Sequence, residues 1–204
     1  MKKIISWMLP KERKILGVLS SQSESVFDMA KKLEGFIANY PQLERKDRKE
    51  IAYSIRGMNG KIEGIGSHLM PRLNREELHQ IAMLLNEIAE VAGECAMRFV
   101  VLGIERIDVH TTKLAALFTG STEELMKLMS MKKPNSIKSH YERLSSLKLE
   151  GQEAYDEALS ELFHFYKNSI DIMKYREIYE LLKKGIKKCA SAAEALEFMA
   201  ARSS

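Results

Sequence analysis

At 204 residues, 45% hydrophobic and 29% charged, the chain is long enough to bury a real core and too apolar to be disordered. A net charge of +4, with both signs mixed throughout, is too small to imply nucleic acid as a partner. Only four prolines and little strand-type alternation point to an all-α protein.

The first helix is predicted to start near Pro10, a residue suited to a first helical turn, and to stop at Asn39-Tyr40-Pro41. Its inner face is supplied by Ile15, Leu19, Val26, Ala30, Leu33 and Ile37. Ahead of it, Ile4, Ile5, Trp7, Met8 and Leu9 follow two lysines, read as a tail folded back on the bundle or as a docking segment. The patch is too short for a signal-peptide core, and the best apolar run elsewhere, Phe99 to Ile104, is far short of a membrane span. The expected location is the cytoplasm, at most peripheral to the inner face of a membrane.

Residues 44–56 form a charged helical segment that runs into Gly57, Gly60, Gly64 and Gly66. Each glycine costs a helix interior about 1 kcal/mol against alanine, so a kinked or frayed second helix is expected. No strand precedes these glycines and no GK[ST] follows, which excludes a phosphate-cradling loop.

The stretch from Leu73 to Ile104 organises the chain. Leu78, Ile81, Leu85, Ile88, Ala92, Cys95, Phe99 and Leu102 alternate steps of three and four, a 3.5-residue repeat that seams a helix into a bundle. Ala82, Ala89, Ala96 and Gly103 keep small residues beside that seam, inviting close approach of a neighbour. Asn74 with Glu77 forms a candidate capping box, and Leu73 with Leu78 a hydrophobic staple. The outer face carries Asn86, Glu87, Glu90 and Glu94.

Beyond it, residues 108–118 read as a short helix ending near Gly120, and Ser121 with Glu124 opens another through Met131. Lys132-Lys133-Pro134 marks the best internal boundary. A long helix is predicted from about Asn135 to Lys167, with Leu144, Leu147, Gly151, Ala154, Ala158, Leu162 and Phe165 inward. Asn168 then caps a last helix whose seam is Tyr175, Ile178, Leu182, Gly185, Cys189, Ala192, Leu196 and Met199. The two cysteines, Cys95 and Cys189, fall on seams and read as buried hydrophobes in a reducing compartment. The fold expected is about six helices in two antiparallel, pseudo-repeated three-helix bundles sharing a core. The chain is read as one domain, with a first half of about 1–107 and a second of about 108–204.

The histidines, His68, His79, His110, His140 and His164, form no HExxH or close pair, and neither cysteine has a CxxC partner. No serine sits in GxSxG, and no catalytic triad can be assembled. The reading is non-enzymatic. Glu87, Glu90 and Glu94 line one helical face by their spacing. A solvated outer face accounts for that strip; a cation site would need further oxygens converging from a second helix.

The segment LNREELHQIAMLLNEIAEVAGECAMRFVVLGI resembles the central signature of the PhoU-like accessory proteins of Pit-type inorganic phosphate transporters. There it reads approximately P-x-D-R-E-D-I, then L-D-D-I-x-D, then R-x-V-L-Y-x-I. The opening LPKERKIL and the closing KYREIYELLKKGIKKCASAAEALEF are similar to that family's two ends. The resemblance implies a cytoplasmic partner or regulator of phosphate uptake that docks to a membrane phosphate permease. Homo-oligomerisation is compatible with it, and nucleic acid is not expected.

Relatives in the wider family place E-x-x-x-D pairs on two helices of each half and bind metal clusters there. Here Asn86, Glu87 and Glu90 keep part of the central acid, and the partner pair aligns with Asn59 and Glu63. In the second half the matched positions are Lys148 with Gln152 and Lys183 with Lys187. Ammonium groups repel a cation, so the second-half site is expected to be absent. The first-half candidate, for a divalent or iron-type metal, is Glu63, Glu87 and Glu90. Lys183, Lys184, Lys187 and Lys188 either balance neighbouring acids or meet an anionic surface. The alternative to a phosphate-transport accessory is a metal-free helical adaptor that has lost that role.

Overall fold

A computed structural model of the chain describes residues 10–69, 76–131 and 137–202. Six helices follow in order: α1 Pro10–Asn39, α2 Arg45–Leu69, α3 Glu76–Val101, α4 Val109–Met129, α5 Ile137–Phe165 and α6 Ser169–Ala201. A single 3-10 turn, Tyr40–Gln42, links α1 to α2, and no strand occurs among the described residues. Helices α1, α2 and α3 pack as one three-helix group and α4, α5 and α6 as another; α3 against α6 and α1 against α4 join the groups.

Both long seams are buried as their spacing requires. On α3 every seam position from Leu78 to Phe99 is buried, and Leu102 packs against the core at its edge. On α6 all eight seam residues from Tyr175 to Met199 are buried. The six inner positions of α1 are buried too, but Gln22 and Ser23 are buried among them. Gln22 Nε2 donates to Asn86 Oδ1 at 2.7 Å and reaches the Ile62 carbonyl at 3.4 Å, so one side chain of α1 ties α2 and α3 together. Where α1 stops, Tyr40 stands edge-on to Phe36, and its hydroxyl donates to the Phe99 carbonyl at 3.0 Å.

Four expectations are corrected. Helix α2 runs unbroken through Gly57, Gly60 and Gly64, because Ala52, Ile55 and Ile62 bury its inner face and packing outweighs poor local propensity. The two short helices expected between 108 and 131 are one, α4; Ser121 is buried inside it with its hydroxyl satisfied by the Leu117 carbonyl at 2.7 Å. Gly103 is not a packing residue of the seam. It adopts φ +59° and ends α3 in a Schellman turn, with the Ile104 amide bonded to Phe99 O and the Gly103 amide to Val100 O. Phe165, expected inward, is the last residue of α5 and is 75% exposed. The proposed cap at Asn74, the staple through Leu73, the boundary at Lys132–Pro134 and the tail at Ile4–Leu9 lie outside the described residues.

Close helix contacts depend on glycine at two places. A Cβ on Gly185 would lie 2.5 Å from the Phe118 ring, and one on Gly93 would lie 3.3 Å from the Arg56 backbone and 2.9 Å from Asn59. Gly185 thus lets α4 approach α6, and Gly93 lets α2 approach α3.

Candidate functional site

The acidic strip of α3 lies between α2 on one side and α6 on the other. Its members diverge. Asn86 turns inward to Gln22. Glu87 turns towards α6, where its carboxylate accepts from Lys188; its side chain is 38% exposed and that of Lys188 22%. Glu90 and Glu94 face α2 across a groove of about 410 Å³ that Arg56, Asn59, Met97, Arg98 and Val101 also line. Glu63 is exposed on α2. Asn59, the other matched position, has a buried Oδ1 without a hydrogen-bond partner.

The geometry therefore brings Glu63, Glu87 and Glu90 to no common point. Among the described residues no three His, Cys, Asp or Glu side chains are grouped to hold a metal ion. A cation at Glu87 would have to displace the Lys188 ammonium, so the donor set does not fit a metal cluster.

Charged side chains of α3, Glu87 of the strip among them, instead form a set of clamps with α6 and its C-terminal cap. Arg202 Nη1 meets Glu77 at 3.0 Å, Lys188 meets Glu87, and Arg98 Nε meets Glu177 at 2.8 Å. The α3 partners are spaced by ten and eleven residues, close to three helical turns, so all three pairs fall along one edge of the contact. Arg98 also holds Glu94 at 3.2 Å, one turn back.

On the second half, the lysines at the matched positions are placed differently from one another. The Lys183 ammonium sits 3.5 Å from the centroid of the Tyr155 ring, a cation–π contact between α6 and α5. Lys184 and Lys187 are exposed, and so are Lys148 and Gln152 on α5. The Gln152 amide donates to both oxygens of Asp156 at 2.9 Å. Helices α4 and α5 are tied by further pairs: His110 with Glu161 at 2.8 Å, Lys113 with Glu157 at 2.6 Å, and His140 with Glu124 at 2.5 Å.

Sequence reasoning missed a second feature, a cleft of about 960 Å³ at the end of the molecule where the α3–α4 and α5–α6 connections meet. Its floor is built on Asp108. One carboxylate oxygen accepts from the Thr111 amide at 2.7 Å and caps α4; the other accepts from the Tyr179 hydroxyl at 2.5 Å. The Tyr175 hydroxyl donates to the Arg106 carbonyl at 2.9 Å, and Tyr166 stacks edge-on to Tyr175. Burial pushes the Tyr175 phenol up to about 12; burial, then the bond to Asp108, drives Tyr179 higher still. The local signal was Asp108-Val109-His110-Thr111, an N-cap pattern. Nothing local announced its tyrosine partner.

No family model matches the chain. It is 21% identical over 173 residues to the UPF0111 protein YkaA of Bacillus subtilis (strain 168), covering 79% of this chain and 84% of that protein. Two crystal structures of Shewanella oneidensis MR-1 proteins share its architecture at 14% identity. One is of a PhoU-like protein, with a TM-score of 0.78 over 92% of this chain and 99% of that one. The other, whose proposed role is PhoU-like phosphate regulation, aligns with a TM-score of 0.79 over 92% and 96%. Likeness of that extent, spanning all six helices and both groups, establishes that the fold is PhoU-like.

Proposed function

We propose that the protein is a non-enzymatic accessory or regulatory protein of inorganic phosphate transport that docks to a Pit-type membrane permease from the cytoplasm. The observation that carries the proposal is the PhoU-like architecture over 92% of the chain, one neighbour being described as a phosphate regulator. The sequence resemblance at both ends and in the middle of the chain supports the Pit-type partner in particular. Exposed Lys184 and Lys187 on α6 suit an acidic surface on such a partner. The test is phosphate uptake in cells expressing a Pit-type permease with and without this protein. A changed rate or set point supports the reading; identical uptake refutes it.

A second reading, a metal-free helical adaptor without a phosphate role, is favoured by the ion pair that Lys188 makes with Glu87, within the acidic strip that the resemblance marks for metal binding. Unchanged uptake together with retained binding to another helical partner would put this reading ahead.

A further inference from the structure

The end of the molecule that carries the 960 Å³ cleft also carries a group of large apolar side chains left in solvent. Phe165 at the end of α5 is 75% exposed, and Ile170 and Met173 in the first turns of α6 are 61% and 71% exposed. They belong to one helical hairpin tip, closed by the residues 166–168 and the Asn168 cap. Ile170 and Met173 are three residues apart, so they share a helix face. Neither is needed for the fold: the core contacts of this tip are made by Tyr166, Ile172 and Tyr175.

Cations stand around the same tip. Lys167 lies between Phe165 and Ile170, Lys174 follows Met173, and Arg106 lines the opposite wall of the cleft. None of the three has a carboxylate partner within ion-pair distance among the described residues; Lys174 reaches only the Gly103 carbonyl, at 3.5 Å. The acids of the same cleft are Glu105, Asp108 and Asp171, so three carboxylates balance the three cations, and Asp108 is further held by the Thr111 amide and the Tyr179 hydroxyl.

We infer that this tip is a lipid-interface anchor. Phe165, Ile170 and Met173 enter the headgroup and upper acyl region of a bilayer, while Lys167, Lys174 and Arg106 reach back to lipid phosphates. Long basic side chains beside an apolar tip can keep their charges at headgroup level while the stems lie along the buried surface. No described helix is long and apolar enough to cross a membrane, so the contact is peripheral. The three side chains together offer on the order of 400 Å² of apolar surface, about half of what each partner buries in a standard stable dimer. Their place on a projecting tip, interrupted by lysines, suits a fluid interface better than a second copy of the chain. The six charges of the tip cancel, so only the chain's net charge of +4 favours anionic lipid, which predicts a slight preference and not a requirement.

This goes beyond docking on a permease, because the bilayer alone suffices. The full-length protein is to be sedimented with vesicles of phosphatidylcholine alone and of phosphatidylcholine with phosphatidylglycerol in equal parts, both free of protein. Binding is expected to both, and more strongly to the second. The variant F165S/I170S/M173S should lose about tenfold or more of that affinity on either vesicle. Lys167→Glu with Lys174→Glu should lose the phosphatidylglycerol increment and keep the remainder. Thermal melting of each variant establishes that the fold is intact, as the exposure of Phe165, Lys167, Ile170 and Met173 and the half-burial of Lys174 lead one to expect. Absence of wild-type binding to both vesicles overturns the proposal. So does full binding by the triple variant, which would place the contact on another segment. Concentration-dependent dimerisation that the triple variant abolishes, without vesicle binding, would assign the tip to a second copy instead. Since the vesicles hold no permease, this outcome and that of the uptake experiment are read independently.

Discussion

The glycines offer a quantitative test of how the bundle is held. Gly57 and Gly60 are exposed on α2, and a Cβ at either would meet nothing within 4 Å. Alanine there restricts the unfolded chain and favours the helix, worth about 0.5–1 kcal/mol at each position. Gly185→Ala gains the same propensity but places its Cβ 2.5 Å from the Phe118 ring, which is itself 1% exposed between α4 and α6. Real Cβ atoms do not come that close, so the ring or the helix must move. Overpacking of this kind costs about 1–3 kcal/mol, leaving a net effect between about zero and a loss of about 2.5 kcal/mol once propensity is credited. For a chain of this size 1 kcal/mol moves the melting temperature by about 2–4 °C. Thermal unfolding of Gly57→Ala/Gly60→Ala should therefore show a rise of roughly 2–8 °C, and of Gly185→Ala no rise and a fall of up to roughly 10 °C, with urea midpoints moving in the same directions. A Gly185→Ala protein as stable as the α2 double variant would refute the close α4–α6 approach. A destabilised α2 variant would refute the account of α2 as a helix held by its inner face.

Three other outcomes follow from the site geometry. Protein purified without chelator should carry no stoichiometric iron, zinc or manganese, and chelator should leave its melting temperature unchanged; about one equivalent of metal lost in Glu87→Gln/Glu90→Gln would overturn the Lys188–Glu87 pairing as the resting arrangement. Tyr179→Phe removes a hydrogen bond to an ionised acceptor that also caps α4, and should cost about 1.5–3 kcal/mol in urea unfolding, against about nothing for the exposed Tyr53→Phe. Tyr175 is raised in the folded state from an unfolded value of 10.0 to about 12, so its contribution is complete below pH 10.0 and is lost as pH rises through about 12. Tyrosinate absorbance should then show late-titrating groups whose ionisation coincides with unfolding, and Tyr175→Phe should shift that alkaline transition.

The seams were legible because burial imposes a period on sequence: α6 keeps its repeat over seven steps and α3 over six, the next falling on Leu102 just past its end. The N-cap at Asn168 was legible as well, being a local interaction with the Ile170 amide. Failures fell where local chemistry and tertiary packing disagree. Glycines argued against α2 and a Gly-Ser pair argued for a break in α4, yet both helices have faces that the bundle buries continuously. Phe165 failed for a different reason: periodicity constrains a residue only while the helix continues beside a neighbour, and α5 ends there.

The acidic strip shows where sequence reading stops. Spacing along α3 places Glu87, Glu90 and Glu94 on one surface, but what each carboxylate does is decided by residues far away in sequence. Lys188 is 101 residues from Glu87, and Glu177 and Arg98 meet from different halves of the chain. The same distinction divides the lysines of α6. Lys183 and Lys188 are held by Tyr155 and Glu87 and contribute to packing between helices, whereas Lys184 and Lys187 project outwards. Charge reversal should separate the two pairs. Lys184→Glu/Lys187→Glu should leave stability within about 0.5 kcal/mol of wild type, as exposed surface substitutions do. Lys188→Glu sets two carboxylates against each other at the α3–α6 clamp and should lower stability by about 1 kcal/mol or more, relieved by high salt or by Glu87→Lys in the same chain. Equal stability losses from the two reversals would mean that the four lysines form one undifferentiated basic face, and the clamp along α3 and α6 would have to be abandoned.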